Sequence, residues 1–128
     1  MENVNSQKLL ALAKEASNNA YSPYSGIKVG AALLCKNENI YTGVNVENAS
    51  YGATICAERT AFTRAVSEGE RDFVAIAVAG SIRNLVPCGM CRQFMSEFNP
   101  LLTVIYENED GETIETNLEA LFPSYFKL

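Results

Sequence analysis

The sequence predicts an α/β protein, a three-layer α/β/α sandwich on a mixed five-stranded sheet. Three observations lead there. The runs 73–80 (FVAIAVAG) and 101–106 (LLTVIY) are almost unbroken apolar stretches, as strands covered on both faces read. Stretches with helical spacing precede and separate them. A strand–helix–strand succession favours parallel neighbours, and helices on both faces of a sheet make three layers.

The elements follow in order. Residues 6–19 put Leu9, Leu12, Ala13 and Ala16 on one helical face, with Ser6 as the expected cap. Pro, Ser and Gly make 21–26 (YSPYSG) a loop. Residues 27–35 alternate, with Val29, Ala31, Leu33 and Cys35 on one side. A turn at 36–39 (KNEN) and a returning strand at 40–46 complete a hairpin. The polar loop 47–54 enters a second helix, expected from about Cys56 to Glu68. Its stripe is Ala57, Ala61, Phe62, Ala65 and Val66, and Gly69 ends it. After the central strand 73–80 and a loop at 81–87, a third helix begins near Cys88. It carries Cys91, Phe94, Met95 and Phe98 on one face. The strand 101–106, a turn within 107–113, a short edge strand at 113–116, a helical turn at 118–123 and a tail complete one domain over 1–128.

Length and composition suit one folded domain: 128 residues, 48% hydrophobic and 20% charged. The net charge of −5, with scattered basic residues, argues against non-specific binding to nucleic acid or anionic membrane. The N-terminus has no basic segment followed by a long apolar one, so no secretory signal is expected and the expected location is the cytoplasm. No apolar run is long enough to span a bilayer. Histidine is absent, which excludes a histidine base, a Cys–His or Ser–His pair and histidine metal ligands.

The four cysteines carry the chemistry. Residues 87–91 (PCGMC) place C-x-x-C at a helix start, where thiolates are favoured. Alone, this pair reads as a zinc half-site, a redox dithiol or coincidence. A redox dithiol needs no third cysteine at another helix start, yet Cys56 is one. Three soft ligands at two helix N-termini suit zinc. Cys35 reads as a half-buried strand thiol. Without it the site has three protein ligands and an open position, as catalytic zinc does.

Glu58 then gains a task as the carboxylate that moves protons. Positions two apart do not share a helix face, so Cys56 is expected at the very edge of its helix. Three thiolates leave zinc with excess negative charge, which Arg59 would offset, with Arg92 as a second candidate.

Zinc deaminases carry a ligand-x-Glu followed by P-C-x-x-C. Here those are CAE (56–58) and PCGMC (87–91). Together with YSPYSGIKVGAALL, GVNVENASYGATICAERTAF and VPCGMCRQ, they make the sequence resemble the small homotetrameric cytidine deaminases of nucleoside salvage, from the first helix to LFPSYF.

The resemblance implies that Cys56, Cys88 and Cys91 hold one Zn²⁺ per subunit and that Glu58 shuttles protons. It implies that Asn45 and Glu47 bind the ribose hydroxyls, that the backbone at Ala57 helps hold the pyrimidine, and that Arg59 compensates charge. The family often has an aromatic residue where Ile27 stands. Phe126 matches a phenylalanine that reaches a neighbouring subunit's site, and the family's longer tails are missing beyond it. The implied reaction is hydrolytic deamination of cytidine and deoxycytidine.

Three rivals remain. A blasticidin-type deaminase shares both motifs, but NVENASYG suits a ribose-binding site. Nucleic-acid deaminases have related motifs, but the chain is acidic. A structural zinc module would need Cys35 as a fourth ligand.

Overall fold

A computed structural model describes residues 4–128, so the first three residues of the expected 1–128 domain lie outside the described residues. Helix α1 covers Ser6–Ala16 and passes into one 3-10 turn at Ser17–Asn19. The hairpin is β1 (Val29–Cys35) and β2 (Ile40–Val44). Then come α2 (Ala57–Ser67), β3 (Phe73–Gly80), α3 (Gly89–Ser96), β4 (Thr103–Glu107), β5 (Thr113–Asn117) and α4 (Leu118–Leu121).

The five strands form one mixed sheet in the order β2-β1-β3-β4-β5. Strand β1 pairs antiparallel with β2 and β3, β3 parallel with β4, and β4 antiparallel with β5. The near-continuous apolar β3 is the central strand, as its sequence requires.

Alternation along β1 divides the core. Ala31, Leu33 and Cys35 face α2 and α3, whereas Ala32 packs with Leu9, Leu10 and Ala13 of α1. Helices therefore cover both faces. Phe62 of α2 meets Phe73, Phe94 and Phe98 at centroid distances of 4.8, 6.2 and 5.5 Å, and this aromatic cluster seats α2 beside α3.

Two details differ from the sequence expectation. Asn5, not Ser6, caps α1, accepting from the Lys8 N–H at 3.0 Å. Ser6 is buried and donates to Glu115 instead. The first strand also begins at Val29, not at residue 27, because the Ile27 carbonyl accepts from the Asn45 side chain at 2.9 Å. The expected C-terminus of α2 matches. Gly69, at φ +98°, turns the chain while its N–H donates to the Val66 carbonyl at 3.0 Å.

Helix α2 lies hard against β2. A Cβ at Gly43 would fall 2.3 Å from the Ala61 nitrogen and 2.6 Å from the Ala57 carbonyl oxygen. Gly43→Ala must push α2 outward and should lower unfolding stability by about 1–3 kcal/mol, measurable by denaturant melting.

Candidate active site

The site grows from two helix starts. Cys56 is the N-cap of α2, in extended conformation at φ −74° and ψ 156°. Cys88 is the N-cap of α3, at φ −71° and ψ 171°. The expectation that Cys56 sits at its helix edge holds, and Glu58 follows inside the first turn. Neither cysteine side chain caps its own helix. Both thiols are thus left for each other and for Cys91, which is buried in the first turn of α3.

The Sγ atoms of Cys56, Cys88 and Cys91 all lie within 4.8 Å of one another. The Cys56 and Cys88 sulfurs are 3.7 Å apart. The hydrogen bond from Cys91 draws the Cys56 thiol down to about 5. The Arg59 and Cys88 hydrogen bonds add to it against the opposing effect of burial. The hydrogen bond with Cys56, together with burial, pushes the Cys91 thiol up. Arg59 extends an Nη2 to within 3.7 Å of the Cys56 sulfur and 3.4 Å of the Thr54 carbonyl. Its guanidinium stands where charge compensation requires it.

This donor set fits zinc: three soft sulfurs converge, and the Arg59 guanidinium lies against one of them. Cys35 is not part of the group. It is 1% exposed at the far end of β1, and burial with the nearby Glu70 pushes its thiol up to about 12. Cys35→Ala should therefore retain full zinc content by metal analysis, at a stability loss of roughly 1 kcal/mol.

A cleft of about 290 Å³ opens onto the Cys56 and Cys88 side of this group. Cys56, Ala57, Glu58 and Cys88 line it. Ile27, Val29, Asn45 and Glu47 lie on it too, as do Val78, Leu85 and Val86. Glu58 is 4% exposed. Burial pushes its carboxyl up to about 7; its own backbone N–H opposes this, the Cys56 thiolate adds to it, and Arg59 opposes it. A buried carboxyl near neutrality is suited to taking up and returning a proton.

Asn45 is buried, and its side chain grips the opposite strand entry. Its Oδ1 accepts from the Val29 N–H and its Nδ2 donates to the Ile27 carbonyl, both at 2.9 Å. Glu47 accepts from the Tyr24 and Ser25 N–H groups at 2.9 and 3.1 Å, and from the Ser25 hydroxyl. The Ser25 hydroxyl chiefly holds its carboxyl below the usual range.

Most residues singled out in the sequence thus meet at one cleft. Phe126 does not line it and is 68% exposed. Arg92 does not reach the thiols. It donates instead to the Pro87 carbonyl at 2.7 Å and the Leu121 carbonyl at 3.0 Å. Sequence reasoning missed Ser25, which holds Glu47, and the apolar wall of Val78, Leu85 and Val86. The only signal for Ser25 was its polar loop, YSPYSG, ahead of the first strand.

The chain's relatives agree with this geometry. Residues 3–107 match the family described as cytidine and deoxycytidylate deaminase zinc-binding region. A cytidine deaminase of Halalkalibacterium halodurans is 50% identical over 122 residues, covering 94% of this chain and 92% of that protein. One of Sporosarcina psychrophila is 48% identical, covering 94% and 90%. The crystal structure of cytidine deaminase from Burkholderia pseudomallei superposes with a TM-score of 0.88 at 43% identity, over 96% of this chain and 100% of that one. With its three converging thiols and buried glutamate in the matched region, the chain belongs to the cytidine and deoxycytidylate deaminase family.

Proposed function

We propose that this protein hydrolyses cytidine and 2′-deoxycytidine to uridine and 2′-deoxyuridine, releasing ammonia, in pyrimidine nucleoside salvage. The observation that carries the reading is the convergence of the Cys56, Cys88 and Cys91 sulfurs, with Cys56 and Cys88 lining a cleft that also holds the buried Glu58. Cys56, Cys88 and Cys91 would hold one Zn²⁺. Zinc, when bound, supplies Lewis acidity that brings water toward ionisation near neutral pH.

The chain's own residues do the rest. Glu58 takes a proton from water as the water oxygen bonds to the ring carbon bearing the amino group. It passes that proton to the adjacent ring nitrogen. The same carboxyl then takes the proton of the new hydroxyl on that carbon and gives it to the amino group, so the carbon–oxygen bond becomes a carbonyl as the carbon–nitrogen bond breaks and ammonia leaves. The burial that raises Glu58 makes both directions of transfer feasible at neutral pH.

Glu47, held as a carboxylate by Ser25, accepts from ribose hydroxyls, and Asn45 sets the neighbouring wall. Ile27 supplies apolar contact to the base where relatives often have an aromatic ring. The backbone at Ala57, fully buried, abuts the pyrimidine. Arg59 offsets the thiolate charge.

The unit is one catalytic domain over 1–128, working in the cytoplasm, where a reducing environment keeps its four thiols free. Among the described residues no helix is long and apolar enough to cross a membrane. A homotetramer fits the exposed Tyr21, Val46 and Ile55, which lie on adjoining short bridges, and the exposed Phe126, assigned here to a neighbouring subunit's site. Light scattering would give four chains per particle.

The substrate test is direct. Cytidine should disappear, by ultraviolet absorbance, and blasticidin S should compete weakly. Preferential turnover of blasticidin S would replace the nucleoside reading.

A further inference from the structure

We propose that Gln93 is a positioning residue that sets the place of Phe126, and so tunes substrate affinity from outside the site. This rests on the assignment of Phe126 to a neighbouring subunit's site.

The tail after α4 has little else to hold it. Phe122 donates its N–H to the Leu118 carbonyl at the end of that helix. Beyond it, among the described residues, the hydrogen bonds to 123–128 are the two made by Gln93. Its Nε2 donates to the Phe126 carbonyl at 2.9 Å, and its Oε1 accepts from the Phe126 N–H at 3.0 Å. The primary amide thereby reads both backbone groups of one residue, as a neighbouring strand would. Only glutamine or asparagine offers a donor and an acceptor together in this way.

The backbone before this clamp is constrained. Ser124 sits at φ +60°, a conformation non-glycine residues adopt infrequently, and it turns the tail toward α3. Phe126 as a whole remains 68% exposed. The clamp thus fixes the main chain and leaves the ring free to contact another molecule.

The anchor point matters as much as the clamp. Gln93 is two residues beyond Cys91 on α3, and its neighbour Arg92 ties the Pro87 carbonyl, just before Cys88, to the Leu121 carbonyl at the end of α4. Two consecutive side chains therefore fasten the C-terminal segment to the helix that carries two of the three thiols. Arg92 holds the root of the tail and Gln93 holds its tip.

An unclamped tail would sample many positions, and only a fraction would present Phe126 correctly. Apparent affinity falls by that fraction, with little change in the chemical step.

The test uses the full-length, zinc-loaded protein with cytidine. Gln93→Leu should raise KM roughly tenfold, the effect of losing two neutral hydrogen bonds, with kcat and zinc content kept. Gln93→Glu keeps the acceptor and loses the donor, so its KM should rise less. Carboxypeptidase should release the terminal residues faster from Gln93→Leu. In a Phe126→Ala background, Gln93→Leu should add nothing to KM.

A Gln93→Leu protein with normal KM, while Phe126→Ala raises it, would overturn the inference alone. Full additivity of the two changes would also overturn it. Phe126→Ala without effect on KM would overturn the assignment of Phe126 on which it stands. Should Gln93→Leu fold poorly, the graded response of Gln93→Glu decides in the same way.

Discussion

Glu58→Gln should lower kcat for cytidine by about 10²–10⁴-fold while the protein keeps its zinc and its fold. The substitution is nearly isosteric, and the side chain is 4% exposed, so no cavity opens. It removes proton transfer alone. Glutamine can occupy the same volume beside Cys56, but it has no proton to exchange near neutral pH. The carboxyl has been raised to about 7 mainly by burial, which makes it a proton carrier there and not a fixed charge. The measurement is kcat beside zinc stoichiometry on the same preparation. Full zinc with near-normal turnover would remove Glu58 from its assigned role. Lost zinc would show that the carboxyl supports the metal site instead.

Cys91→Ala should abolish both zinc binding and turnover. Cys91 is fully buried and is one of the three converging thiols, so its loss leaves the group only two sulfurs. Residues that merely support a metal ligand cost about 10–100-fold when changed, so loss of a ligand should exceed about 100-fold. Stability reports the same event independently. Zinc binds the folded chain preferentially, so it should raise the melting temperature of the parent protein. That zinc-dependent rise should vanish in Cys91→Ala and persist in Cys35→Ala. A zinc-dependent rise that survives Cys91→Ala, or disappears in Cys35→Ala, would reassign the ligands.

The contrast between the two cysteines shows which features are legible in sequence. Cys56, Glu58, Cys88 and Cys91 are readable because their chemistry is unusual and their spacing is local: both helix starts announce themselves. Cys35 is readable because strand alternation places it in the core beside Leu33 and Phe73. The sheet follows from the same alternation, with the central β3 marked by its unbroken apolar run.

Where sequence reasoning slips, long-range partners decide. Asn5 and Ser6 are both good caps, and Ser6 loses because Glu115, 109 residues away, takes its hydroxyl. Arg92 looks like a charge neutraliser beside Cys91, but the Leu121 carbonyl lies 29 residues along the chain and claims it. Gln93 is silent in sequence for the same reason: its partner is the backbone of Phe126. The apolar wall of Val78, Leu85 and Val86 is equally silent, since such residues read as ordinary core.

The central claim is that the three thiols hold the one zinc ion on which deamination of cytidine depends. Chelated protein should be titrated with Zn²⁺ while cytidine loss and ammonia release are followed together. Turnover should rise linearly and level off at one zinc per chain, with one ammonia formed for each cytidine lost. Protein that binds one zinc per chain yet leaves cytidine intact would contradict the account.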